Sequence, residues 1–220
     1  MTFYSRNLPH FHPKNTPLFI TCRLTNSIPI NQLAILRKNY ESELEKIILM
    51  YSTPIIFKKK IYNLQKKYFG KYDHLLDSMA SGPDWLKNDN IAEIVWNKIH
   101  SFDKIKYELI CLSILSNHFH FVIHPDKNLK VSEFNLKGKT KNYIIADTLR
   151  LLKGSTSHKA NKILGREGSF WHHESYDHYV RDEFELERIV QYVVSNPCKA
   201  GLIKLNAIWK WIMHNNSYTW

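Results

Sequence analysis

The sequence predicts an α+β fold in which a small antiparallel sheet carries helices. Two strongly β-type runs, residues 107–115 and 118–124, are separated only by Ser116 and Asn117, which predicts a tight antiparallel hairpin. Helical periodicity dominates the chain on both sides of this hairpin. Strands and helices mixed in this way favour a sheet with helices packed on it.

Before the hairpin, the pattern predicts one further strand and a long helical segment. Residues 18–24 have the composition of a strand. A helical pattern then runs from residue 30 to about residue 71, and Pro54 divides it into two helices. We therefore expect a helical insertion of about residues 30–80 between the first strand and the rest of a single domain, residues 1–220.

Two more helices are expected, one on each side of the hairpin along the chain. Residues 81–83, Ser-Gly-Pro, form a predicted turn, after which Asn88 or Asp89 can cap a helix. After the hairpin, residues 141–164 have a helical pattern in which Gly154 is a weak point.

The C-terminal third of the chain predicts an extended segment followed by a helix. Residues 170–181 look irregular to extended. Asp182 is followed three residues later by Glu185, a spacing that resembles a capping box and predicts a helix start. The Asn196-Pro197 pair is expected to end that helix, because a residue that precedes proline disfavours helical geometry.

The charge of the chain predicts a polyanionic partner. Its 220 residues include 31 Lys and Arg against 20 Asp and Glu, so the formal net charge is +11 and the isoelectric point is about 9.4. A basic surface gains free energy from counterion release on a phosphate backbone. DNA, RNA and an anionic membrane surface all fit this charge, and so does a solvated, lysine-rich surface.

Cysteine spacing and hydropathy argue against several other protein classes. Cys22, Cys111 and Cys198 lie far apart, which disfavours a disulfide framework and a cysteine-built zinc site. The longest apolar stretch, residues 47–57, is too short for a membrane span and is broken by Pro54. The first residues lack the apolar core of a signal peptide. We therefore expect a cytoplasmic protein with no membrane partner.

His118 and His120 form the sharpest chemical pattern. Side chains alternate across a strand, so these two histidines point to one face while Phe119 points to the other. Two imidazoles one strand repeat apart can bind a single divalent ion, whereas two surface or satisfied core histidines are the alternative. His124 falls on the same face and is a candidate outer ligand or DNA contact.

A second His-x-His pair is a weaker candidate. His10 and His12 stand between Pro9 and Pro13. No strand is expected there to align the two rings, so the pair is not assigned to a metal site.

Tyr192 and Asn196 form the second chemical pattern. They are four residues apart on the predicted helix and therefore lie on one side of it. A phenol beside a carboxamide suits a site that forms a phosphotyrosine, with the tyrosine as nucleophile and the amide as a further metal ligand. The alternative is an ordinary half-buried tyrosine followed by an Asn-Pro helix stop. Tyr176 is the rival nucleophile, but it has no helical partner.

Two sets of side chains, each on one face of a helix, are candidate DNA contacts: Arg150, Lys153 and Ser157 form one set, and Lys159, Lys162 and Arg166 form the other. A solvated helix face explains each of them equally well. Two adjacent histidines in the following loop can also approach DNA or the metal, or can simply be surface residues. The candidate DNA-binding residues are Arg150, Lys153, Lys159, Lys162, Arg166, His172 and His173.

Several stretches, in the same order along most of the chain, resemble one known family. LSNHFHFVI at residues 115–123 resembles the PNHxH strand of the Y1 (single-tyrosine) transposases, which are HUH endonucleases. The C-terminal half is most similar to the REP-associated tyrosine transposases of that group. The stretches that carry this similarity are FWHHESYDH, RDEFELERI and YVVSNPCKAGL, at residues 170–178, 181–189 and 192–202, and also RNLPH, FITCRL, YDHLLD and GPDWL, at residues 6–10, 19–24, 72–77 and 82–86.

The resemblance implies a fold, a chemistry and a set of site residues. The fold would be the ferredoxin-like antiparallel sheet of the HUH nucleases, with the helical insertion added. His118 and His120 match the metal-binding histidines, Tyr192 matches the nucleophile, and Asn196 stands where related enzymes carry a glutamine ligand. Family members use Mg²⁺ or Mn²⁺ and cut single-stranded DNA beside a hairpin. They form a 5′-phosphotyrosine and leave a free 3′-hydroxyl.

The sequence departs from the family pattern at a few positions. Ser116 replaces the usual proline before Asn117, and Cys198 stands where valine is common. Residues 209–217 lack the WxxSS pattern that is usual in the family. None of these departures touches the expected catalytic positions, so they bear on DNA specificity more than on chemistry. Relatives occur as dimers with composite sites, whereas members with this C-terminal pattern can act as monomers, so both a monomer and a homodimer remain open.

Two other functions remain compatible with the sequence. One is a domesticated, non-catalytic DNA- or RNA-binding protein. The other is a metallohydrolase that uses a bound hydroxide, which would need His118 and His120 but not Tyr192.

Overall fold

The computed structural model describes residues 2–5, 9–12, 15–78, 82–125, 143–204 and 207–218. Within this part of the chain, strands and helices are interspersed along the sequence, and short 3₁₀ helices occur at Trp85–Lys87 and Asn216–Tyr218. The elements in chain order are β1 (Thr2–Ser5), β2 (Pro9–His12), β3 (Leu18–Arg23), α1 (Ile30–Met50), α2 (Pro54–Ser78), α3 (Asp89–His100), β4 (Glu108–Ile114), β5 (His118–His124), α4 (Tyr143–Leu164), β6 (Tyr176–Tyr179), α5 (Glu183–Lys199) and β7 (Ile212–His214).

Five of these strands form one antiparallel sheet in the order β6-β3-β5-β4-β7. Among the strands β3 to β6, the last in sequence (β6) lies beside the first (β3). The third (β5) comes next across the sheet, and the second (β4) follows it. This is the arrangement of a ferredoxin-like βαββαβ sheet, and β7 extends it at the edge beside β4. The predicted α+β fold with an antiparallel, ferredoxin-like sheet is therefore confirmed, as is the tight hairpin between β4 and β5.

The two faces of the sheet carry different chemistry. One face is apolar: Ile20 pairs with Phe121, and both side chains are fully buried in the core with residues of α3 and α4. The alternate residues point to the opposite face, where Thr21 pairs with His120. Helix α5 packs against β4, β5 and β7 and covers this second face. The apolar core thus holds the sheet, while its other side is left for polar groups.

Helix α3 forms as its sequence predicts. The side chain of Asn88 caps the helix by accepting a hydrogen bond from the backbone N–H of Asn90 at 3.0 Å. Ile91, Val95 and Ile99 follow at helical spacing and are fully buried in the core. The cap and the apolar stripe together fix where α3 begins and which side it turns to the sheet.

Helix α5 begins where predicted but ends later. Asp182 Oδ1 accepts a hydrogen bond from the N–H of Glu185 at 2.8 Å, so the predicted cap is confirmed. The predicted stop at Asn196-Pro197 is wrong, because the helix continues through Pro197 to Lys199. Pro197 lies within the last turn, where its ring removes one helical hydrogen bond, and Ala200 N–H still donates to Asn196 O at 2.8 Å. Asn196 therefore keeps helical geometry.

Some expectations for the chain ends and the loops were wrong or lie outside the described residues. The expectation that no strand would hold His10 and His12 is wrong, since both belong to β2, which pairs with β1. Strand β7 was not expected, because three residues carry too little alternation to be recognised. Ser81, the first residue of the predicted turn, lies outside the described part of the chain. So do residues 141–142, the first two residues of the predicted helix of residues 141–164.

Residues Asn26–Pro83 form a compact unit of their own, which we call the helical arm. It contains α1 and α2, and α2 extends to Ser78 rather than to about residue 71. Tyr72 and Leu76 of α2 are buried in a small core with Ile28 and Leu36. Most of the predicted insertion is thus confirmed as two helices, whereas the behaviour of residues 1–220 as a single domain stays a prediction.

Gly82 closes the helical arm. Its φ of 141° lies in a region that side-chain-bearing residues rarely adopt, and an added Cβ would lie 3.3 Å from the carbonyl oxygen of Asn26. Both the backbone conformation and the close approach require glycine at this position. Among the described helices, none has the length and apolar character needed to cross a membrane.

Candidate metal and nucleophile site

The imidazoles of His118 and His120 converge on the polar face of the sheet. Both side chains are buried, and their Nε2 atoms lie 3.0 Å apart. Strand alternation places them on the same face, as predicted, and the pairing of β5 with β3 and β4 holds their backbones. The two nitrogens are therefore aimed at a common point.

A hydrogen bond at Nδ1 orients each ring. His118 Nδ1 lies 2.6 Å from Asn117 Oδ1, and His120 Nδ1 lies 2.8 Å from the Thr21 hydroxyl. Because the Asn117 oxygen only accepts, His118 Nδ1 carries the proton and its Nε2 presents a lone pair. The Thr21 hydroxyl can donate or accept, so it permits either tautomer of His120. Such outer partners fix the orientation of metal-binding histidines.

Asn196 reaches the histidine pair from α5. Its side chain is fully buried, and its Nδ2 lies 3.5 Å from His120 Nε2 and donates to the Tyr192 hydroxyl oxygen at 2.8 Å. Within the described part of the chain, Asn196 Oδ1 is buried and accepts no hydrogen bond. A buried carbonyl oxygen without a donor is unfavourable unless another group, such as a cation, meets it.

Tyr192 lies one helical turn before Asn196, with its ring against the sheet. Its ring centroid is 5.6 Å from that of His120, and it meets the ring of Phe19 edge-on at 6.2 Å. The ammonium of Lys199 lies 4.9 Å from the centroid of the phenol ring. The Tyr192 side chain is half-buried, whereas His118, His120 and Asn196 are buried.

The donor set fits a divalent cation. Two ligands at about 2.1 Å in neighbouring octahedral positions are separated by about 3.0 Å, which matches the distance between the two Nε2 atoms. A 180° rotation of the Asn196 carboxamide would present its oxygen at the position that Nδ2 now occupies. Two imidazole nitrogens and one amide oxygen can bind a divalent cation, and this donor set does not identify which one.

Tyr176, the rival nucleophile, also points to the polar face. In β6 it pairs with Thr21, which in turn pairs with His120. Its ring meets Phe19 at 6.5 Å. The ring of Tyr192 lies 5.6 Å from that of His120, and its hydroxyl oxygen accepts a hydrogen bond from Asn196. These contacts favour Tyr192 as the reactive phenol.

His124 lies too far along β5 to share an ion with the pair. It lies four residues beyond His120 along the strand, a distance of about 13 Å, and it pairs with Glu108 at the other end of the hairpin. It is therefore not a candidate outer ligand for the same ion.

Two of the predicted DNA contacts are occupied by contacts within the protein. Lys153 Nζ donates to the carbonyl oxygens of His172 and His173 at 2.8 and 3.2 Å. Arg166 lies two residues beyond the end of α4 and not on its face, because Gly165 ends the helix with a φ of 60°. The guanidinium of Arg166 packs 4.2 Å from the centroid of the Trp85 ring. Both residues shape the loop that follows α4.

The other predicted DNA contacts differ in their surroundings. Arg150, Lys159 and Lys162 are exposed on α4, and Arg150 lies 3.4 Å from the Asp147 carboxylate. His173 is exposed, whereas His172 is half-buried. Burial and the neighbouring positive charge of Arg23 lower the pKa of His172 to about 4, so its ring is neutral at physiological pH.

Three residues that support the site were not singled out from the sequence. Thr21 depends on strand register, which local pattern does not reveal, and Lys199 was hidden by the expected helix stop before it. Asn117 did carry a signal, because it stands directly before His118 in the stretch that resembles the family strand. Only for Thr21 is the missing information which backbone segments lie side by side.

Comparison with known proteins gives one distant structural similarity. No protein-family model matches the chain, and no curated protein matches it. Its structure is similar to that of a REP-associated tyrosine transposase bound to a REP hairpin, with a TM-score of 0.46 and 14% sequence identity. The similarity covers 96% of this chain and 82% of that one. The roles of individual residues therefore depend on the geometry described above.

Proposed function

We propose that this protein is a metal-dependent endonuclease and strand transferase of single-stranded DNA, in which Tyr192 forms a 5′-phosphotyrosine intermediate. Hairpin-containing repeat DNA is the proposed substrate. The observation that carries the proposal is the meeting of the Tyr192 hydroxyl, the Asn196 carboxamide and two histidine Nε2 atoms on one face of the sheet. The sequence resemblance to the single-tyrosine transposases and the net charge of +11 support it.

The proposed step exchanges one phosphoester for another. The Tyr192 oxygen attacks the phosphorus and loses its proton, and the bond from phosphorus to the 3′-oxygen breaks. The 3′-oxygen leaves with the electron pair and takes up a proton. Because the tyrosyl ester preserves a phosphodiester, the 3′-hydroxyl of another strand can reverse the step without an added energy source.

His118, His120 and Asn196 would hold the divalent cation. When bound, Mg²⁺ or Mn²⁺ would supply charge that polarises a phosphate oxygen. Asn117 and Thr21 keep the two rings aimed at one point, which lowers the ordering cost of binding.

Asn196 and Lys199 assist the nucleophile directly. A free phenol ionises only near pH 10, so attack at neutral pH needs stabilisation of the developing phenolate. The Lys199 ammonium lies beside the Tyr192 ring. In the orientation described, the Asn196 N–H donates to the Tyr192 oxygen, and a carboxamide rotated to hold the cation would give up this hydrogen bond. Both contacts favour negative charge on the oxygen.

A covalent-adduct assay tests this proposal. Purified protein is incubated with Mn²⁺ and labelled single-stranded hairpin oligonucleotides, including hairpins from beside its own gene, and is resolved on a denaturing gel. The proposal requires a metal-dependent protein–DNA band that disappears in Tyr192→Phe. Tyr176→Phe is the matched control and should retain the band, because the Tyr176 hydroxyl is not the proposed nucleophile.

The other outcomes identify the alternatives. If Tyr192→Phe still cuts DNA without an adduct, the site is a metallohydrolase that activates water. If wild-type protein binds the hairpins but never cuts them, the chain is a non-catalytic DNA-binding protein. Size-exclusion chromatography on the active sample would distinguish a monomer from a homodimer.

A further inference from the structure

The solvent-facing side of α2 carries a line of lysines. Residues 54–71 contain six lysines and no aspartate or glutamate. At 100° per residue, five of these lysines fall on one side of the helix, spread along about 18 Å of its axis. With the uncharged or weakly basic residues between them they form what we call the lysine face. Its members are all exposed: Lys59, Lys60, Asn63, Lys66, Lys67, Gly70, Lys71 and His74.

The positive charge of this face is largely uncompensated. Within the described part of the chain, none of its lysines forms an ion pair with a carboxylate. The carboxylate of Glu43 in α1 is influenced by two lysines of this face, but it forms its ion pair with Lys46, at 3.1 Å. The Lys46 hydrogen bond and charge, together with the charges of Lys67 and Lys71, lower the pKa of Glu43. Lys59, Lys60 and Lys66 therefore make the strongest part of the face.

No member of the lysine face is aromatic, although the Lys60 ammonium lies 5.1 Å from the centroid of the half-buried Tyr51 ring. Two tyrosines of α2 pack away from the face: Tyr68 lies 4.8 Å from Tyr40 of α1, and Tyr72 is buried. Proteins that bind single strands without sequence preference use exposed aromatic side chains on which bases stack. A row of lysines without such rings suits the phosphates of a duplex, whose bases are already stacked.

Gly70 lies in the middle of the face. No atom lies within 4 Å of where its Cβ would be, so packing within the described structure does not require glycine here. Glycine weakens a helix by about 1 kcal/mol relative to alanine. A bare backbone at this point allows a flat or convex partner to approach α2 closely.

We propose that the lysine face binds the sugar–phosphate backbone of double-stranded nucleic acid, so that the helical arm grips the stem of a DNA hairpin. The choice of hairpin DNA rests on the proposed function, whereas the surface itself needs no cleavage chemistry. Five lysines along about 18 Å match roughly five phosphates of one strand at about 3.4 Å each.

An anionic membrane is the competing partner, because the tip of the arm exposes Leu49, Met50 and Ile55. A helix that lies in a membrane surface keeps an apolar face along its whole length. The apolar side of α2 is instead packed on α1, with Leu64 buried, and the exposed large apolar residues of α2, Ile55 and Ile56, are confined to its first turn. This arrangement favours a duplex over a membrane.

The test is the salt dependence of binding by the full chain. All proteins carry Tyr192→Phe and are kept without metal, so failure of the proposed cleavage chemistry cannot alter the result. The test variant changes Lys59, Lys60 and Lys66 to Gln, which preserves helix propensity. The control changes Lys87, Lys204 and Lys210 to Gln, which removes the same charge from exposed positions outside the arm. Fluorescence anisotropy follows a labelled hairpin with a stem of roughly one helical turn.

The test variant should lower the slope of log K against log salt by up to about 2.7 on the hairpin, since each phosphate contact contributes about 0.9. The control variant should change it far less. Equal slopes for the test and control variants would overturn the proposal. An equal loss on a single strand without a stem would overturn the duplex assignment. A loss confined to phosphatidylserine vesicles would identify the membrane as the partner instead.

Discussion

Asn196 Nδ2 donates a hydrogen bond to the hydroxyl oxygen of Tyr192 at 2.8 Å, and the same nitrogen lies 3.5 Å from His120 Nε2. One carboxamide therefore contacts both the proposed nucleophile and a proposed metal ligand. The contact exists because α5 runs unbroken through Pro197, which keeps the two residues one turn apart. The site is thus assembled from one strand pair and one helix.

Asn196→Ala should lower the rate of adduct formation by roughly 100-fold, the usual scale for removal of one donor to a developing oxyanion. The variant removes a carboxamide that donates to Tyr192 in the orientation described and that, when rotated, would be a proposed metal ligand, so either role accounts for the loss. Single-turnover kinetics with saturating DNA and Mn²⁺ measure the rate. Gln191→Ala, an exposed change on the same helix, should leave it unaltered. A rate within threefold of wild type for Asn196→Ala would remove Asn196 from the mechanism (roughly 0.6 kcal/mol).

Mn²⁺ should raise the melting temperature of the wild-type protein and should not raise that of His118→Ala or His120→Ala. A ligand at 100 times its dissociation constant stabilises the folded state by about 2.7 kcal/mol. Tyr192→Phe should keep the metal-induced shift, because the phenol is not a proposed ligand. His173→Ala controls for a metal effect on exposed histidines. A shift of equal size in His120→Ala would place the metal elsewhere.

Local sequence patterns predict the chemical groups of the site but not that the two pairs of residues lie close together in space. Alternation along β5 predicted that His118 and His120 share a face, and a spacing of four predicted that Tyr192 and Asn196 share one. Bringing the two pairs together depends on which face of the sheet α5 covers. That choice is made by long-range packing, which periodicity within one segment does not encode.

The same reasoning explains the errors in the fold. The three-residue strand β7 and the short β1–β2 pair are defined by their partners rather than by their own composition. The sequence predicts a helix stop at Pro197, yet the cost of one lost hydrogen bond in a last turn is small enough for the packing of α5 to overcome. Longer elements with strong periodicity, such as α3 and β5, were predicted well.

Glu185→Ala should destabilise the protein by about 2 kcal/mol. The buried carboxylate accepts hydrogen bonds from the Arg181 backbone N–H at 3.0 Å and from its guanidinium at 3.1 Å, and it lies 3.3 Å from His178 Nε2 of β6. It therefore ties the start of α5 to the sheet. Glu183→Ala, an exposed change in the same turn, should cost much less.

The measurement for Glu185→Ala is urea unfolding followed by circular dichroism. Because Tyr192 lies seven residues, or two turns, further along the same face of α5, the variant should also slow adduct formation. Equal unfolding midpoints for Glu185→Ala and Glu183→Ala would show that this network does not anchor the helix.

Acidification from pH 6.5 to 4 should destabilise the protein partly through His172. Burial, followed by the charge of Arg23, lowers the pKa of His172 to about 4 from its ordinary 6.5. Unfolding exposes a ring that binds a proton more readily, so the contribution is present in full above pH 6.5 and is lost as the pH falls toward 4. His172→Gln should weaken the dependence of the urea unfolding midpoint on pH over this range, while the exposed change His173→Gln should not. Parallel pH profiles for wild type and His172→Gln would contradict the effect.

Gly154→Ala and Gly165→Ala should shift stability in opposite directions. At both positions an added Cβ would have no atom within 4 Å, so the methyl group meets open space and only the backbone differs. Gly154 lies inside α4, where alanine should stabilise the protein by about 0.5 to 1 kcal/mol. Gly165 follows the last residue of α4 with a φ of 60°, a conformation that costs alanine about 1 kcal/mol or more. Thermal melts of the two variants beside wild type measure the difference, and a shift of the same sign in both would show that α4 does not end at Gly165 as described.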